Sequence, residues 1–355
     1  MERVNHYCTY FDRGFLIQGF ALFQSLRTHD PAATLWVLAL DEGTADVLNR
    51  VGEPTLRVVS LADFEQGDAE LAAAKTNRSA VEYIFTLSPC WPAWLLEHHS
   101  DIERLTYLDA DLFFFASPTP LFAAMDASGA SVMITAHRFP PALRHYERHG
   151  KFNVGVLVFR NDAAGRACLD DWRMKCLSWC RDRVEDGKYA DQGYLDAWPE
   201  RMGPALLVAS DPGVNLAPWN WAQHRLTAEN PPAVDGHPVV VFHFARFRPR
   251  ASLRCWLSGQ VDYGIMTARW RRALYTPYWQ ALRAAREALR MVEPAVDFRY
   301  RPARLGREAW RALPLALLFN GTWLRVGDRY FNLRLGLGRW SGRVLAVLRN
   351  IARRP

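Results

Sequence analysis

Short apolar runs alternate with longer segments of helical periodicity over roughly the first 245 residues of the chain. The short runs are rich in β-branched and aromatic residues, which is typical of strands. They lie at 4–11, 34–40, 56–61, 104–115, 131–137, 153–160, 205–210 and 238–245. Repeated strand–helix–strand units predict an α/β fold with a mainly parallel sheet and helices on both of its faces. Ligands of such sheets bind beyond the carboxyl ends of the strands, so we expect the functional site there.

Three of the intervening segments show a helical pattern. Residues 16–29 place leucine and phenylalanine on one stripe of a helix. Residues 77–99 also predict a helix, with a break near Pro89 and Pro92 because proline has no backbone N–H to donate. Residues 161–183 predict a long amphipathic helix.

The run 104–115, RLTYLDADLFFF, contains two carboxylates one residue apart, Asp109 and Asp111. A buried ionised carboxylate is costly unless a cation or several hydrogen-bond donors compensate it. In an extended chain, side chains two residues apart point to the same side, so both aspartates would face one point at the end of a strand. Two such oxygen ligands suit a hard divalent cation such as Mg²⁺ or Mn²⁺. A pair of turn or capping aspartates is the alternative interpretation.

The chain has 355 residues, half of them hydrophobic, which suggests roughly two domains or one large domain with an extension. It contains no run of 18 or more apolar residues, and its start lacks the apolar core of a signal peptide. We therefore expect a cytoplasmic protein, and the six cysteines fit that compartment. Cys168, Cys176 and Cys180 recur at helical spacing and are expected to pack in the core rather than to bind a metal.

Charge is distributed unevenly along the chain. Residues 268–355 contain 19 arginines, no lysine and five acidic residues, a net charge of +14. Since the whole chain carries +7, the rest carries −7. Within the basic part, residues 338–354 form a basic amphipathic pattern with Trp340 on the apolar side, which is typical of a helix that lies in a membrane interface. A helix packed on the domain or a dimer contact is the alternative, and the alternating apolar positions favour lipid over nucleic acid.

Four motifs occur in one order over roughly residues 4–250: TYLDADLFFFASPTPLF, FNVGVLVFRND, KYADQGYLDAW and VVVFHFARFRP. Together they resemble GT-A-fold glycosyltransferases, and in particular the retaining glycosyltransferase family 8 group, of which the chain looks like a divergent member. The first motif resembles the Asp-x-Asp segment of these enzymes. The last resembles a late strand that ends in a metal-binding histidine.

The resemblance implies a GT-A (Rossmann-like) nucleotide-sugar binding and catalytic domain at 1–265. An arginine-rich amphipathic helical extension at 266–355 would follow it and meet an anionic membrane surface or the acceptor. The implied reaction moves a sugar, with retention, from a nucleotide-diphosphate donor such as a UDP-sugar to a glycan or lipid-linked acceptor. If the reaction inverted instead, Asp191 or a nearby carboxylate would have to act as general base.

The resemblance also implies roles for individual residues. Asp109, Asp111 and His243 would hold the metal, and an imidazole ligand suits Mn²⁺ better than Mg²⁺. Asp191 would bind hydroxyl groups of the donor sugar, and the amide of Gln192 would lie near its anomeric carbon. The expected donor-binding residues are Thr9, Tyr10, Asp12, Lys75, Arg78, Asn153, Gly155, Arg246 and Arg248.

Several of these positions allow a second interpretation. Tyr10 could equally be a core aromatic residue, Arg78 could be a solvated side chain beside a helix cap, and His243 could be a core histidine. The family pattern after the histidine is His-x-x-Gly-x-x-Lys-Pro, whereas this chain has Arg246 at the glycine position and Pro249 at the lysine position. Nearby arginines could take over the diphosphate contact, since guanidinium binds phosphate bidentately.

Other classes of protein explain less of the sequence. A sugar nucleotidyltransferase would need a glycine-rich phosphate loop near its N-terminus, and YCTYFDRGF has one glycine. A nucleic-acid-binding protein would explain the arginine-rich tail but none of the four motifs, so no nucleic acid is expected. A catalytically inactive GT-A scaffold or binding protein is the main alternative. We expect the enzyme in the cytoplasm, bound peripherally to the cytoplasmic face of the membrane.

Overall fold

The structure, a computed structural model, describes residues 4–247, 249, 263 and 266–298 and the backbone at 324–326 and 329–331. The strands are β1 His6–Phe11, β2 Thr34–Ala39, β3 Leu56–Ser60, β4 Arg104–Leu108, β5 Leu112–Phe114, β6 Val132–Ala136, β7 Phe152–Arg160, β8 Leu206–Ala209, β9 Leu226–Glu229, β10 Pro232–Val234, β11 His237–Pro238, β12 Val241–His243, β13 Leu324–Val326 and β14 Arg329–Phe331. The α-helices are α1 Leu16–His29, α2 Glu42–Val51, α3 Leu61–Glu65, α4 Ala69–Thr76, α5 Ala80–His98, α6 Thr119–Ser128, α7 Ala163–Ser178, α8 Trp198–Met202 and α9 Ala268–Arg290. Short 3₁₀ segments lie at Pro141–His149, Gln192–Ala197, Gly203–Ala205 and Trp221–Gln223.

Seven strands form the central sheet, in the order β3-β2-β1-β4-β7-β6-β8. Strands β3, β2, β1 and β4 run parallel to one another, and β8 runs parallel to β6. Strand β7 is antiparallel to both of its neighbours, β4 and β6. The sheet is therefore mainly parallel, and the predicted fold class is confirmed.

Apolar side chains of the central strands alternate between two hydrophobic cores. In β7, Val156 and Val158 pack into the core that contains α1 and α9. Leu157 and Phe159 point the other way, into the core that contains α5 and α7. This alternation is the consequence of the two-residue repeat of a strand that is covered on both faces.

The pattern of the apolar run 104–115 predicted one strand, but the structure divides it into two, β4 and β5. Strand β4 ends at Leu108, and the N–H of Leu112 donates to the carbonyl of Asp109 at 3.2 Å, which closes a tight turn. Strand β5 then leaves the central sheet and pairs antiparallel with β12. The turn brings the two aspartates to the end of β4, where their carboxylates can reach solvent instead of being enclosed between two layers of helices.

Helix α5 is continuous, so the predicted break near Pro89 and Pro92 is wrong. Its first turn is closed by a capping box between Ser79 and Glu82. Both prolines lie inside the helix and are buried, as is Trp91 between them. We attribute the continuity to this cap and to the buried face, which offset the two hydrogen bonds that the prolines cannot make.

Helix α7 ends at Ser178, five residues before the end of the predicted segment, because Trp179 takes an extended conformation. Cys176 and Cys180 are fully buried, and Cys168 is partly buried. The five described cysteines are free thiols, and burial raises the pKa of Cys168 to about 12. These are properties of core residues.

Helix α9 begins the segment that the charge distribution set apart. One face of it is buried in the same core as α1, through residues such as Trp270, Leu274, Leu282 and Leu289. Beyond the helix, Arg50 of α2 donates to the carbonyl of Val292. Beyond residue 298, only the backbone of β13 and β14 is described; Trp340 lies outside the described residues, and the domain boundaries stay a prediction.

Candidate active site

Three potential metal ligands converge beyond the end of β4. One ligand atom from each of Asp109, Asp111 and His243 lies within 4.8 Å of the others. The Nε2 atom of His243 is 3.0 Å from an oxygen of Asp111 and 3.6 Å from an oxygen of Asp109. The histidine side chain is 6% exposed, whereas Asp109 and Asp111 are 32% and 18% exposed. The cluster therefore opens to solvent on the carboxylate side.

Backbone pairing fixes this convergence. His243 lies opposite Leu112 in the β12–β5 pair, and the N–H of Phe244 donates to the carbonyl of Asp111. The N–H of Asp109 donates to the carbonyl of Gly155 on β7. A side chain at Gly155 would place its Cβ atom 2.7 Å from Nδ1 of His243, so glycine is the residue that lets β7 pass beside the histidine.

The charged groups of the cluster shift one another's pKa values. Burial raises the pKa of Asp109, and the neighbouring Asp111 raises it further against the opposing charge of His243. Burial acts to lower the pKa of His243, but the charge and hydrogen bond of Asp111 and the charge of Asp109 outweigh it and raise this pKa. Tyr107 donates to Asp109 at 3.0 Å. Two carboxylates with one imidazole and open positions fit a divalent cation that accepts both oxygen and nitrogen ligands.

A buried polar network lies behind the cluster. The side-chain oxygen of Asn153 accepts from the N–H of Gly155 and from Asn215, both at 3.0 Å. The amide nitrogen of Asn153 lies 3.4 Å from His137, whose pKa burial lowers to about 3, so this imidazole is neutral. Asn153 and Gly155 thus lie next to the metal-ligand cluster, with the Asn153 amide bonded to protein atoms, and their contact with a donor stays a prediction.

A cavity of about 230 Å³ opens at the carboxyl end of β1, next to the cluster. Tyr10 lines it, together with Asp12, which accepts from the N–H of Gly14. Its other lining residues are Phe11, Phe15, Leu40, Ile84, Tyr107, Asp109, Ala110 and Asp111. Thr9 is fully buried, and its hydroxyl has no hydrogen-bond partner among the described residues.

Asp191 directly precedes the 3₁₀ segment that Gln192 begins. Asp191 is 6% exposed, and the indole of Trp172 donates to its backbone carbonyl. Burial raises the pKa of its carboxyl group to about 7; a hydrogen bond from Ser88 acts against this rise, and the charge of Asp109 adds to it. The amide nitrogen of Gln192 donates to the carbonyl of His149 at 2.7 Å.

Two of the predicted basic residues, Lys75 and Arg78, are engaged elsewhere in the protein. Lys75 pairs with Glu65 at 2.6 Å, and Arg78 donates to Thr86 and to the last carbonyls of α7. The guanidinium of Arg246 lies 5.5 Å from the ring centre of Tyr263. Arg248 lies outside the described residues. Donor contacts of these four residues stay predictions.

Arg246 has φ of 59°, in the left-handed region that glycine adopts most easily. This is the position at which the family 8 pattern has glycine. Arg246 thus adopts a backbone conformation that a glycine at this position would adopt without strain.

The sequence interpretation missed three residues around the site. Tyr107 precedes Asp109 by two positions, and the alternation of a strand could have indicated it. Trp219 packs against His243 with ring centres 5.1 Å apart, and its indole N–H is buried without a partner among the described residues. Ser88 directly precedes Pro89 in α5 and gives no pattern of its own.

In the described part of the chain, no helix combines the length and apolar character needed to cross a membrane.

No family model matches the chain. It is 34% identical over 253 residues to the uncharacterised protein YfnF of Bacillus subtilis (strain 168), an alignment that covers 68% of this chain and 81% of YfnF. It is 29% identical over 280 residues to YfnD of the same organism, covering 77% of this chain and 87% of YfnD.

Among solved structures, the fold is similar to that of the galactosyltransferase LgtC in complex with donor and acceptor sugar analogues. The two share 17% sequence identity with a TM-score of 0.50, over 79% of this chain and 95% of LgtC. This likeness confirms the GT-A fold that the Asp-x-Asp segment indicated. The chain therefore belongs to the protein family of YfnF and has the fold of the GT-A glycosyltransferases.

Proposed function

We propose that the protein is a metal-dependent glycosyltransferase that uses a nucleotide-diphosphate sugar, in particular a UDP-sugar, as donor. The observation that carries the proposal is the convergence of Asp109, Asp111 and His243 beside the cavity at the end of β1. A ligand that bridges cavity and cluster must present an aromatic or sugar ring to Tyr10 and anionic oxygens to a cation. A nucleotide diphosphate has both parts.

Mn²⁺, or alternatively Mg²⁺, bound to these ligands would neutralise charge on the departing diphosphate as a Lewis acid. The protein residues then have separate tasks. Asp12 and Tyr10 orient the nucleoside in the cavity, and Asp191 accepts hydrogen bonds from hydroxyl groups of the sugar. His243 must be neutral to act as a ligand, and its raised pKa means that the cation competes with a proton for the imidazole.

Gln192 supports transfer with retention. Its amide nitrogen is held by the His149 carbonyl, which leaves the amide oxygen as the end that can face a positively charged sugar. An oxygen in that place would stabilise an oxocarbenium-like centre without forming a covalent bond. In the inverting alternative, Asp191 would be the base, and its pKa of about 7 suits that task as well.

Hydrolysis of a panel of UDP-sugars, with and without Mn²⁺, tests the activity. We expect slow metal-dependent release of UDP from at least one donor, abolished by a chelator and restored by added Mn²⁺. An inactive scaffold would bind the nucleotide without releasing the sugar. The anomeric configuration of a transferred sugar, read by NMR, separates retention from inversion.

The acceptor is a glycan or a lipid-linked glycan, and we propose that the arginine-rich C-terminal part brings the enzyme to an anionic membrane surface. Each arginine near an anionic leaflet adds about 1 kcal/mol of binding free energy. A chain that ends near Asp297 keeps α9 and should lose binding to anionic liposomes at low salt while keeping donor hydrolysis. If the full-length protein does not bind such liposomes, the membrane part of the proposal fails and the enzyme part stands.

A further inference from the structure

A second cavity, of about 380 Å³, lies between helices α5 and α7. It is larger than the cavity at the end of β1, and the two have no lining residue in common. Its volume lies within the range of small-molecule sites in proteins. Ile84 of α5 lines the first cavity and Trp94 of the same helix lines the second, so about 15 Å along the helix axis separates them.

The apolar part of the lining is held in place by packing. Its buried residues are Phe64, Cys90, Leu96 and Leu169. Trp94 is partly exposed, and its ring centre lies 5.5 Å from that of Trp91 and 4.1 Å from that of His98, in stacked arrangements. A ligand that packs against an aromatic side chain fixed in this way does not have to order it, which lowers the cost of binding.

Two arginines of α7 line the same cavity and are anchored by the protein. Arg173 donates at 2.6 Å to Asp68, which is also a lining residue. Arg166 donates to the carbonyl of Leu96 at 2.8 Å and to the side chain of Asn161. A guanidinium has five N–H donors, and the contacts with other described residues use two of them on each arginine. Both arginines therefore keep donors for a ligand.

Two carboxylates of the cavity have no partner among the described residues. Glu97 of α5 and Asp170 of α7 line the cavity, and both are exposed. Neither side chain forms a hydrogen bond or an ion pair with another described residue. Free carboxylates are common on protein surfaces, but these two share a cavity with anchored guanidinium groups and an aromatic ring. The cavity therefore offers open acceptors and open donors together.

This mixture of charges selects the class of ligand. An anion would be repelled by the three carboxylates of the lining, and a cation would be repelled by its two guanidinium groups. A neutral molecule with hydroxyl groups meets neither repulsion, since a hydroxyl donates to a carboxylate and accepts from a guanidinium. The apolar part of the lining favours a ring that carries C–H groups on its faces. A sugar ring has both properties.

We propose that the cavity between α5 and α7 binds a neutral sugar unit of a glycan, at a site separate from the candidate active site. Glu97 and Asp170 accept hydrogen bonds from its hydroxyl groups, and Trp94 packs against its C–H groups. The remaining N–H groups of the two arginines donate to its oxygen atoms. This binding depends on neither the proposed donor nor the proposed metal. A glycan held here would also have a raised effective concentration at the active site.

Saturation-transfer NMR with the full-length protein tests the binding directly. The probes are the neutral trisaccharides maltotriose, cellotriose, laminaritriose and chitotriose, with glucuronic acid as an anionic and glucosamine as a cationic comparison. We expect at least one trisaccharide to bind, and neither charged sugar to bind more tightly. UDP with Mn²⁺ should not displace the trisaccharide, and the Asp109→Ala variant should bind it as the wild type does.

Substitutions in the cavity locate the site. Asp170→Ala and Glu97→Ala should each weaken binding of that trisaccharide by roughly 10-fold, because each removes a hydrogen bond to a charged group. Asp171→Asn is the matched control. Asp171 follows Asp170 on α7, but it pairs with Lys175 and does not line the cavity, so this variant should bind as the wild type does.

The contrary results overturn the inference. If no trisaccharide binds, or if only a charged sugar binds, the ligand class is wrong. If UDP with Mn²⁺ or Asp109→Ala abolishes binding, the glycan occupies the active site instead. If Asp170→Ala and Glu97→Ala both bind as tightly as the wild type, the cavity is not the site.

Two further controls keep the test decisive. If an alanine variant has a lowered melting temperature, Asp170→Asn and Glu97→Gln, which keep the volume of the side chain, take its place. If the wild-type protein releases no sugar from any donor, the proposed function fails, while the binding of the trisaccharides still decides this inference.

Discussion

The metal-ligand cluster and helix α9 differ in how far their charged side chains are exposed to solvent. In the cluster, Asp109, Asp111 and His243 are packed within 4.8 Å of one another, with the buried Asp191 nearby. On α9, most of the arginines are exposed, with the buried Arg271 as an exception: Arg269 is 51% exposed and pairs with Glu229. An exposed ion pair adds little to the free energy of folding and loses little hydration. A buried carboxylate lowers stability, because it must give up its hydration. The arrangement that costs stability is the one that indicates function.

The largest effect is expected from the cluster itself. Asp109→Ala or Asp111→Ala should lower metal-dependent donor hydrolysis by roughly 100- to 1000-fold, because an ion held by two remaining ligands cannot stabilise the leaving group. The fold should persist, and the free energy of unfolding without metal should not fall, because each substitution removes a buried charge. Hydrolysis assays with and without Mn²⁺, together with urea unfolding, measure both. Activity that survives in both variants, or that ignores a chelator, would refute the metal assignment.

Asp191→Asn tests the cost of a buried carboxylate directly. The pKa of Asp191 is raised from 3.8 to about 7, so its favourable contribution to stability is present at low pH and is lost as pH rises from about 4 to 7. The asparagine variant does not undergo this loss. Its stability relative to wild type should therefore increase by about 2–3 kcal/mol between pH 5 and pH 8. Urea unfolding with a chelator at the two pH values measures the difference, and an unchanged difference would mean that Asp191 titrates normally.

Gln192→Ala should have an intermediate effect, on turnover rather than on donor binding. The amide is proposed to act on the transition state, so kcat should fall by roughly 10- to 100-fold while the apparent affinity for the donor changes little. Steady-state kinetics with titration of the nucleotide sugar separates the two. Unchanged turnover with weaker affinity would assign Gln192 to plain binding.

The smallest effect is expected on α9. Arg269→Gln removes the exposed ion pair with Glu229 and should change the free energy of unfolding by less than about 0.5 kcal/mol, with activity unaffected. Leu274→Ala on the buried face of the same helix is the contrast and should cost about 2–5 kcal/mol. Similar losses of unfolding free energy in the two variants would show that the exposed charges of α9 contribute as much to stability as its apolar face.

The sheet and the pair of aspartates were predicted from local pattern. His243 was expected beside them only because its motif resembles the late strand of the family 8 enzymes. The reasoning about Asp109 and Asp111 relied on an extended chain, whereas the structure joins them by a turn; their convergence with His243 is the same. Local pattern also misjudged α5, where a capping box and buried packing outweigh the two prolines.

Contacts between distant segments could not be predicted in this way. Arg78 looked like a phosphate contact at a helix N-terminus, but its guanidinium bonds to carbonyls at the end of α7, 98 and 99 residues later. Ser88 meets Tyr10 from 78 residues away. A single hydroxyl or guanidinium leaves no periodic trace in a sequence, so only the folded chain shows which partner it takes.

The packing of α9 against α1 has a consequence for synthesis of the protein on the ribosome. Helix α1 is made early, yet the partner that covers its buried face comes near the end of the described chain, and the Arg50–Val292 bond nearby joins residues 242 positions apart. At roughly 5–20 residues per second, that interval lasts on the order of 10–50 seconds. During this time the nascent chain exposes an apolar surface of α1, which makes it a natural client for a chaperone at the ribosome exit.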